Sequence, residues 1–207
     1  MADIGPTITD ISGTGAVRKR STGITGLNLL LDGGFPQGTS ILVYGSATSG
    51  IELMARQFVQ VQGEEGSYLI NDGEAVPGMT DVSDRHPEMY LPELIGSRIA
   101  VDSLSTILLK FGLDVSLKFM RIACDAVRAR GANVMFILYT GIHTPVEMTR
   151  LMRAADICIE LFSGLNMNEI ERTLIVHKIA GARVPQRALP FIITEAGIEA
   201  STTSRVV

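Results

Sequence analysis

The stretch Ile41–Glu52 constrains the fold of this chain more than any other. A short apolar run leads into a loop bounded by Gly45 and Gly50, and a helical pattern of apolar residues begins at Leu53. A strand that passes through a tight turn into a helix is typical of an α/β protein, and further strand–helix alternations follow along the 207 residues. This length suits one substantial α/β domain.

The loop has the spacing of a phosphate-binding loop but lacks its two decisive side chains. The pattern Gly, four residues, Gly, Lys, Ser or Thr is matched at its glycines, whereas Ile51 holds the Lys position and Glu52 the hydroxyl position. In a working loop, backbone N–H groups hold phosphate, Lys neutralises it and the hydroxyl binds magnesium. A carboxylate here repels phosphate by on the order of several kcal/mol at short range. The vestigial phosphate loop would consist of Gly45, Ser46, Ala47, Thr48, Ser49, Gly50, Ile51 and Glu52.

An ordinary glycine turn explains the same loop equally well when the loop is considered alone. Glu52 would then stabilise the first turn of the helix through the helix dipole and would pair with Arg56 one turn later. Motifs elsewhere in the chain have to decide between these two interpretations.

Composition and charge set the broad class of the protein. With 46% hydrophobic and 19% charged residues the chain is globular, and its net charge of −4 argues against a general attraction to nucleic acid. The basic run Arg18–Arg20 is typical of a solvated chain end. Cys124 and Cys158 match no metal-binding spacing, so we predict buried thiols in a reducing compartment. A signal-peptide pattern and membrane-spanning runs are missing from the sequence, which predicts a cytoplasmic protein.

Three separated motifs make the chain similar to a known superfamily. The segment Ser21–Gly38, which contains TGITGLNLLLDGG, resembles the lead-in to the phosphate loop in the RecA/RadA/KaiC superfamily, especially in its single-domain KaiC-like members. The strand Arg98–Ser105 ends in Asp-Ser and looks like the Walker B element of that superfamily. The segments Arg172–Gly181 and Leu189–Glu199 resemble the KaiC-like ending. The motifs occur in the family's order and identify the loop as a degenerate Walker A motif.

The resemblance implies a RecA-like P-loop NTPase fold, in which helices flank a mostly parallel central sheet and a C-terminal antiparallel hairpin follows. We expect a flexible N-terminal arm at residues 1–20, the RecA-like domain at 21–200 and a C-terminal tail at 201–207. The segment Ala75–Ser97 carries three prolines and little periodicity, so we expect an irregular stretch there and a missing strand.

Hydrophobic periodicity places most other elements. We predict helices at Leu53–Gln62, Asp114–Arg130 and Pro145–Ala155, strands at Ser40–Tyr44, Gly66–Asn71, Asn133–Tyr139, Asp156–Phe162 and Glu171–Ile179, and a polar turn at Ser163–Asn168.

The resemblance also implies roles for individual side chains. Asp72 or Glu74 would be the remnant of an acid that polarises the attacking water, although a turn with solvated acids explains both. Asp102 would be the remnant of the magnesium-orienting acid, although a helix cap at Asp102 or the next residue is an alternative. Lys178 would reach a neighbour's γ-phosphate across a ring interface, whereas the family's accompanying Arg is replaced by Ala180.

Three positions that matter for phosphoryl transfer are altered together, namely Ile51, Glu52 and Ala180. Because this reaction depends on positioning and charge neutralisation, we expect no hydrolysis. The leading hypothesis is a catalytically inactive pseudo-ATPase that acts as a structural or regulatory module, with a protein partner, an active paralogue or its own copies. It requires no cofactor, metal, nucleic acid or membrane. Two alternatives stay open: an atypical ATP-binding protein or weak ATPase using magnesium-ATP, and an accessory recombinase paralogue contacting DNA or a recombinase.

Overall fold

The structure, a computed structural model, describes residues 18–200; residues 1–17 of the predicted arm and the tail 201–207 lie outside this range. The strands are β1 (Lys19–Arg20), β2 (Phe35–Pro36), β3 (Ser40–Gly45), β4 (Gly66–Ile70), β5 (Met79–Asp81), β6 (Arg98–Asp102), β7 (Asn133–Tyr139), β8 (Ile157–Asn166), β9 (Glu169–Ile179), β10 (Leu189–Thr194) and β11 (Gly197–Ala200). The helices are α1 (Thr25–Leu30), α2 (Ile51–Val59), α3 (Leu104–Arg128) and α4 (Pro145–Ala154), with a 3-10 helix at Pro87–Glu93.

Nine strands form one sheet in the order β11-β10-β9-β8-β3-β7-β6-β4-β5. The strands from β8 to β5 in this order are parallel, and β9, β10 and β11 are antiparallel to their neighbours. This confirms the predicted mostly parallel sheet with an antiparallel C-terminal hairpin. The parallel strands all end at one side of the sheet, which we call the loop edge because the loop after β3 lies there. The opposite side is the basal edge.

Apolar side chains on the two faces of the sheet form two cores. Along β3, Ile41 and Val43 point into one core and Leu42 and Tyr44 into the other, because successive side chains of a strand alternate. Helices α1 and α2 cover the first face, whereas α3, α4 and the 3-10 helix cover the second. Both cysteines are buried and unbonded, as predicted. Among residues 18–200, no helix is long and apolar enough to cross a bilayer.

The predicted irregular segment Ala75–Ser97 contains regular structure, so the expectation of a missing strand was wrong. Strand β5 pairs in parallel with β4 at the edge of the sheet, and the 3-10 helix follows it. A strand of three residues shows too little alternation to stand out between the flanking prolines. Strand β5 is defined by its backbone pairing with β4, and the local sequence does not encode that pairing.

Two other boundaries differ from the prediction. Helix α3 begins at Leu104 and is broken at Gly112, whose φ of 80° and ψ of 173° interrupt the apolar period that would have marked the earlier start. The predicted polar turn Ser163–Asn168 is mostly strand, because β8 and β9 continue to a two-residue turn in which Met167 has a positive φ of 54°. The hairpin is therefore several residues longer than its apolar pattern indicates.

Of the basic run Arg18–Arg20, the first two residues are exposed, but Arg20 is buried and is not part of a solvated end. The Arg20 side chain is only 7% exposed and donates to the Glu64 carboxylate at 2.5 Å and to the Asn133 side chain at 2.7 Å. Arg98 lies 1% exposed against the same carboxylate, and its guanidinium stacks over Phe58. The partners of Arg20 lie 44 and 113 residues away in the chain, so the local sequence could not reveal them.

The edge strand β11 is covered by a side chain of α2. The Gln57 amide oxygen accepts from the Ile198 backbone N–H at 2.7 Å, and its amide nitrogen donates to the Ile198 carbonyl at 3.2 Å. One glutamine thus satisfies both backbone groups of an edge residue, as a neighbouring strand would.

Candidate functional site

The loop between β3 and α2 requires glycine at both of its ends. A Cβ on Gly45 would lie 2.4 Å from the Leu161 carbonyl oxygen and 2.5 Å from the Ser49 hydroxyl. Gly50 has a φ of 90°, which side-chain-bearing residues rarely adopt. The glycine spacing in the sequence therefore reflects a close approach to β8 and a left-handed residue before the helix.

The loop is closed by hydrogen bonds within itself. The Ser49 backbone N–H donates to the Ser46 carbonyl at 3.0 Å, and the Ser49 hydroxyl donates to the same oxygen at 2.7 Å. Residues 46–48 are exposed and Ser49 is buried. The Ser49 amide is therefore committed to the loop, and an anion would have to displace this bond to use it.

Neither residue at the start of α2 supplies positive charge to the loop. Ile51 is fully buried in the core between the sheet and α2. Glu52 carries a negative charge, and its Oε1 accepts a hydrogen bond from the Tyr139 hydroxyl at 2.7 Å. The predicted pairing of Glu52 with Arg56 does not form an ion pair among residues 18–200.

Asp102 continues this arrangement at the end of β6. Its carboxylate is 5% exposed and accepts from the Tyr68 hydroxyl at 2.6 Å, while the Tyr139 hydroxyl lies 3.5 Å from its other oxygen. Two carboxylates and two tyrosines thus form a continuous row across the loop edge. We call Glu52, Tyr68, Asp102 and Tyr139 the tyrosine–carboxylate cluster.

The cluster carries an excess of negative charge in a desolvated place. Burial raises the pKa of Asp102 to about 6; the hydrogen bond from Tyr68 opposes this shift, and the charges of Glu52 and Asp72 add to it. Burial and the neighbouring carboxylates also raise the pKa of both tyrosines, which keeps their hydroxyls protonated as donors. This environment disfavours a further anion such as phosphate.

The two acids after β4 have different surroundings. Asp72 accepts a hydrogen bond from the Thr106 hydroxyl at 2.7 Å, which brings its carboxylate to the cluster's border. Glu74 is exposed and makes no side-chain hydrogen bond within residues 18–200. Ser103, next to Asp102, is the cap of α3, because its hydroxyl accepts from the Thr106 backbone N–H. The structure therefore brings Asp72 and Asp102 together and leaves Glu74 in solvent.

Lys178 lies at the basal edge, at the opposite end of the sheet from the loop of the same chain. Its backbone is opposite Cys158, near the start of β8. Its ammonium donates to the carbonyls of Met152, Arg153 and Ala155 at 3.2, 2.9 and 2.5 Å. These carbonyls end α4, so Lys178 caps that helix and offsets the negative end of its dipole.

The tyrosines of the cluster are the site residues that the sequence analysis did not single out. Tyr139 is held by Ser105, whose hydroxyl accepts from the Tyr139 backbone N–H at 2.8 Å and also contacts the His143 ring at 2.8 Å. A tyrosine near the end of a strand, in a chain where a neighbouring strand ends in an acid, is the sequence signal for this role. Within the part of the chain that the structure describes, three or more potential metal ligands do not come together anywhere.

Comparisons with known proteins agree with this architecture. A sequence profile of the KaiC ATPase family matches residues 20–73. The structure is similar to that of the KaiC-like protein PH0186 from the hyperthermophilic archaeon Pyrococcus horikoshii OT3, with a TM-score of 0.74 and 21% identity over 89% of this chain and 99% of that chain. The chain has a KaiC-like, RecA-type fold. No curated protein sequence matches it significantly.

The profile match includes the loop and its lead-in, so the KaiC-like fold is supported where the unusual residues occur. Within that fold, the positions after the second loop glycine hold Ile51 and Glu52, and the cluster lies beside them. The RecA-like NTPase architecture is thus present, with side chains at its loop edge that differ in charge from those that bind phosphate.

Proposed function

We propose that this chain is a catalytically inactive KaiC-like protein, a pseudo-ATPase that acts as a structural or regulatory protein-interaction module. The observation that carries the proposal is the hydrogen bond from the Tyr139 hydroxyl to the Glu52 carboxylate. The same hydroxyl lies 3.5 Å from Asp102, so two carboxylates lie close together at this place. A phosphate-binding loop needs positive charge and a magnesium ligand at this place, and the chain supplies a second carboxylate instead.

Electrostatics supports the same conclusion. Like charges at short range in a partly desolvated site cost on the order of several kcal/mol, and triphosphate would add its charge to those of Glu52, Asp72 and Asp102. Phosphoryl transfer gains most of its rate from charge stabilisation and positioning, so a site of this sign lacks the main source of catalysis. Two buried free thiols also suit a cytoplasmic setting, which is part of the proposal.

The proposal predicts that the chain does not bind magnesium-ATP. Isothermal titration at millimolar nucleotide should show no saturable heat, and radiolabelled ATP should release no phosphate above a buffer blank. The double variant Ile51→Lys with Glu52→Thr should gain saturable binding, because it restores the cation and the hydroxyl. Since burying a lysine at position 51 can impair folding, Glu52→Gln alone serves as a second variant and should bind nucleotide more strongly than the parent.

One observation favours a second candidate, an atypical ATP-binding protein. Helix α2 starts without a side-chain cap, which leaves its first backbone N–H groups available to an anion. Saturable binding by the parent chain that Glu52→Gln strengthens without changing stoichiometry would establish this candidate and contradict the first. Circular dichroism and a urea unfolding curve for each variant separate lost binding from lost folding.

A further inference from the structure

A groove of about 240 Å³ lies at the basal edge of the molecule, where β8 begins and β9 ends. We call it the basal groove. Its apolar walls come from Leu30, Pro36, Ile157, Ile179 and Pro185. Apolar walls of this kind are stabilised when another apolar group covers them and removes them from water.

The basal groove has a cationic rim. Lys19, Asp32 and Arg183 line it. The Lys19 ammonium donates to the Leu31 and Asp32 carbonyls, both at 2.8 Å, and lies 3.4 Å from the Asp32 carboxylate. Arg183 is exposed and forms no ion pair among residues 18–200. An apolar segment that carries an acid therefore fits this groove, because its acid can pair with the Arg183 guanidinium.

The described part of the chain begins at this groove. Lys19 lines the groove, and its backbone pairs with Pro36, which forms part of the wall. The Arg18 carbonyl accepts a hydrogen bond from the Gln37 backbone N–H at 2.9 Å, which fixes the first described residue next to the same wall. Residues 1–17 are thus covalently attached beside the groove.

The sequence of residues 1–17 matches the groove in both of its properties. Its large apolar residues include Ile4, Ile8 and Ile11, and its two acids are Asp3 and Asp10. No basic residue occurs in this segment. The isoleucines suit the apolar walls, and the acids suit the cationic rim.

The connection is long enough for Asp10 and Ile11 to reach the groove. The six residues 12–17 span up to about 20 Å when extended. Gly13 and Gly15 permit the backbone to reverse its direction in this stretch. A short flexible tether gives a segment an effective concentration on the order of millimolar at its site, so even a weak contact is populated.

The other exposed apolar surface that the segment could cover is the turn of the β8–β9 hairpin at the loop edge. Its exposed apolar residues are Leu165, Met167 and Ile170. Glu169 and Glu171 lie beside them, and these acids repel a segment that is itself acidic. Charge therefore favours the basal groove over the hairpin turn.

We propose that the N-terminal segment of this chain binds in the basal groove of the same molecule. Ile11 covers the apolar walls, and Asp10 pairs with Arg183 at the rim. A protein partner that uses the basal edge then has to displace this segment first, which makes the segment a removable cover. The contact involves no residue of the loop or of the tyrosine–carboxylate cluster, so its test does not depend on nucleotide binding.

Disulfide formation in the full chain tests the contact. In a glutathione redox buffer, the double variant Ile11→Cys with Pro185→Cys should form an intramolecular disulfide in a monomeric species, because the native cysteines are both buried. Ile11→Cys with Val146→Cys is the matched control, since Val146 is 66% exposed at the start of α4 on the other face of the sheet. The control should form at least about tenfold less disulfide at the same redox ratio.

Two outcomes of this experiment overturn the proposal. Equal disulfide fractions in the variant and the control would show that the segment samples the surface without binding to the groove. Covalent dimers in place of the intramolecular product would show a contact between molecules.

Charge reversal in the same cysteine pair tests the ion pair. Arg183→Glu or Asp10→Arg alone should lower the equilibrium constant of the disulfide about fivefold, whereas the two together should recover to within about twofold of the starting protein. Asp3→Arg changes the same charge farther along the segment and should have less than about a twofold effect. A double reversal as weak as the singles, or an equal effect of Asp3→Arg, contradicts the pairing of Asp10 with Arg183.

Proteolysis provides a readout without engineered cysteines. An endoprotease that cleaves before aspartate should cut the parent at Asp10 about fivefold more slowly than it cuts Arg183→Glu, because cleavage requires the segment to leave the groove. Cleavage at Asp3 should differ less. Arg183 is exposed, so its replacement keeps the fold, which circular dichroism of both proteins checks. Equal rates at Asp10 in the two proteins would contradict the proposal.

Discussion

Asp102 is the buried acid of the tyrosine–carboxylate cluster. The carboxyl group is 5% exposed between two tyrosine hydroxyls, and burial raises its pKa from 3.8 to about 6. At about 1.4 kcal/mol per pKa unit, keeping this group ionised in the folded state costs about 3 kcal/mol relative to the unfolded chain. Buried acids with strongly raised pKa values are found most often at functional sites.

The pH dependence of unfolding tests this state of Asp102. Because the folded state binds the proton more tightly than the unfolded state, the contribution of Asp102 to stability decreases as pH rises from about 4 to about 6. Asp102→Asn should therefore become more stable relative to the parent across this window, by up to about 3 kcal/mol. Urea unfolding of both proteins at half-unit steps from pH 4 to pH 7.5 measures the difference.

Asp81 provides the control with the opposite sign. Hydrogen bonds from Ser83 lower its pKa, so Asp81→Asn should lose stability relative to the parent, and that loss should shrink as pH falls. A parent–variant difference for Asp102→Asn that is constant with pH would contradict the raised pKa.

Sequence alone could identify part of this site. The loop glycines and the acid at the end of β6 are local signals, and the fold places them where their spacing predicts. The tyrosine contacts are not local, because Tyr68 and Tyr139 lie 34 and 37 residues from Asp102 in the chain. Only the parallel alignment of β4, β6 and β7 brings those hydroxyls to one carboxylate.

At the scale of elements, Lys178 connects the hairpin to α4. Its ammonium donates to three carbonyls at the end of that helix, which would otherwise lack intrahelical partners. The helix begins with a complete capping box between Thr144 and Glu147, so both of its ends are satisfied by side chains. This makes the α4 segment a well-defined element despite its ten residues.

Replacing Lys178 should affect stability through this cap. Lys178→Met keeps the apolar stem and removes the ammonium, and it should lower the unfolding free energy by about 1–2 kcal/mol. Lys178→Arg should lose less, because a guanidinium still donates to the carbonyls. Urea unfolding measures both. An unchanged unfolding free energy for Lys178→Met, together with a change in nucleotide binding, would instead support the family-derived role across a subunit interface.

The elements that the sequence predicted best are those with long apolar runs. Strand β7 has the predicted limits Asn133–Tyr139, because a central strand is apolar throughout. Helix α3 was placed ten residues too late, since Gly112 interrupts its period. The extension of β8 and β9 was missed for a different reason: their polar residues are exposed on a free ribbon, where no core imposes alternation.

At the scale of the whole molecule, one carboxylate holds three distant segments together. Glu64 contacts Arg20 near the chain start and Arg98 in β6, and Arg20 also reaches Asn133 in β7. Both guanidinium groups are nearly buried, whereas the Glu64 side chain is 36% exposed. Buried cations that lose their counter-ion are costly to the fold.

Glu64→Gln should therefore destabilise the molecule more than an ordinary surface change. We expect a loss of about 2 kcal/mol, which is below the range for fully buried pairs because solvent reaches Glu64. Glu65→Gln is the neighbouring control, since the Glu65 side chain makes no ion pair among residues 18–200, and it should change stability by less than about 0.5 kcal/mol. Thermal unfolding of both variants measures the contrast, and equal losses would refute this role for Glu64.

The pairing of Gln57 with Ile198 has a consequence for folding yield. During synthesis, β11 is among the last strands of the sheet to emerge, and its outer edge is open to any other chain until it packs against α2. In the native molecule the Gln57 amide bonds both the N–H and the carbonyl of Ile198. An incoming strand therefore finds no free backbone group at this residue. Protection of this edge against aggregation thus depends on the contact between β11 and α2. It forms late, because β11 is synthesised well after α2.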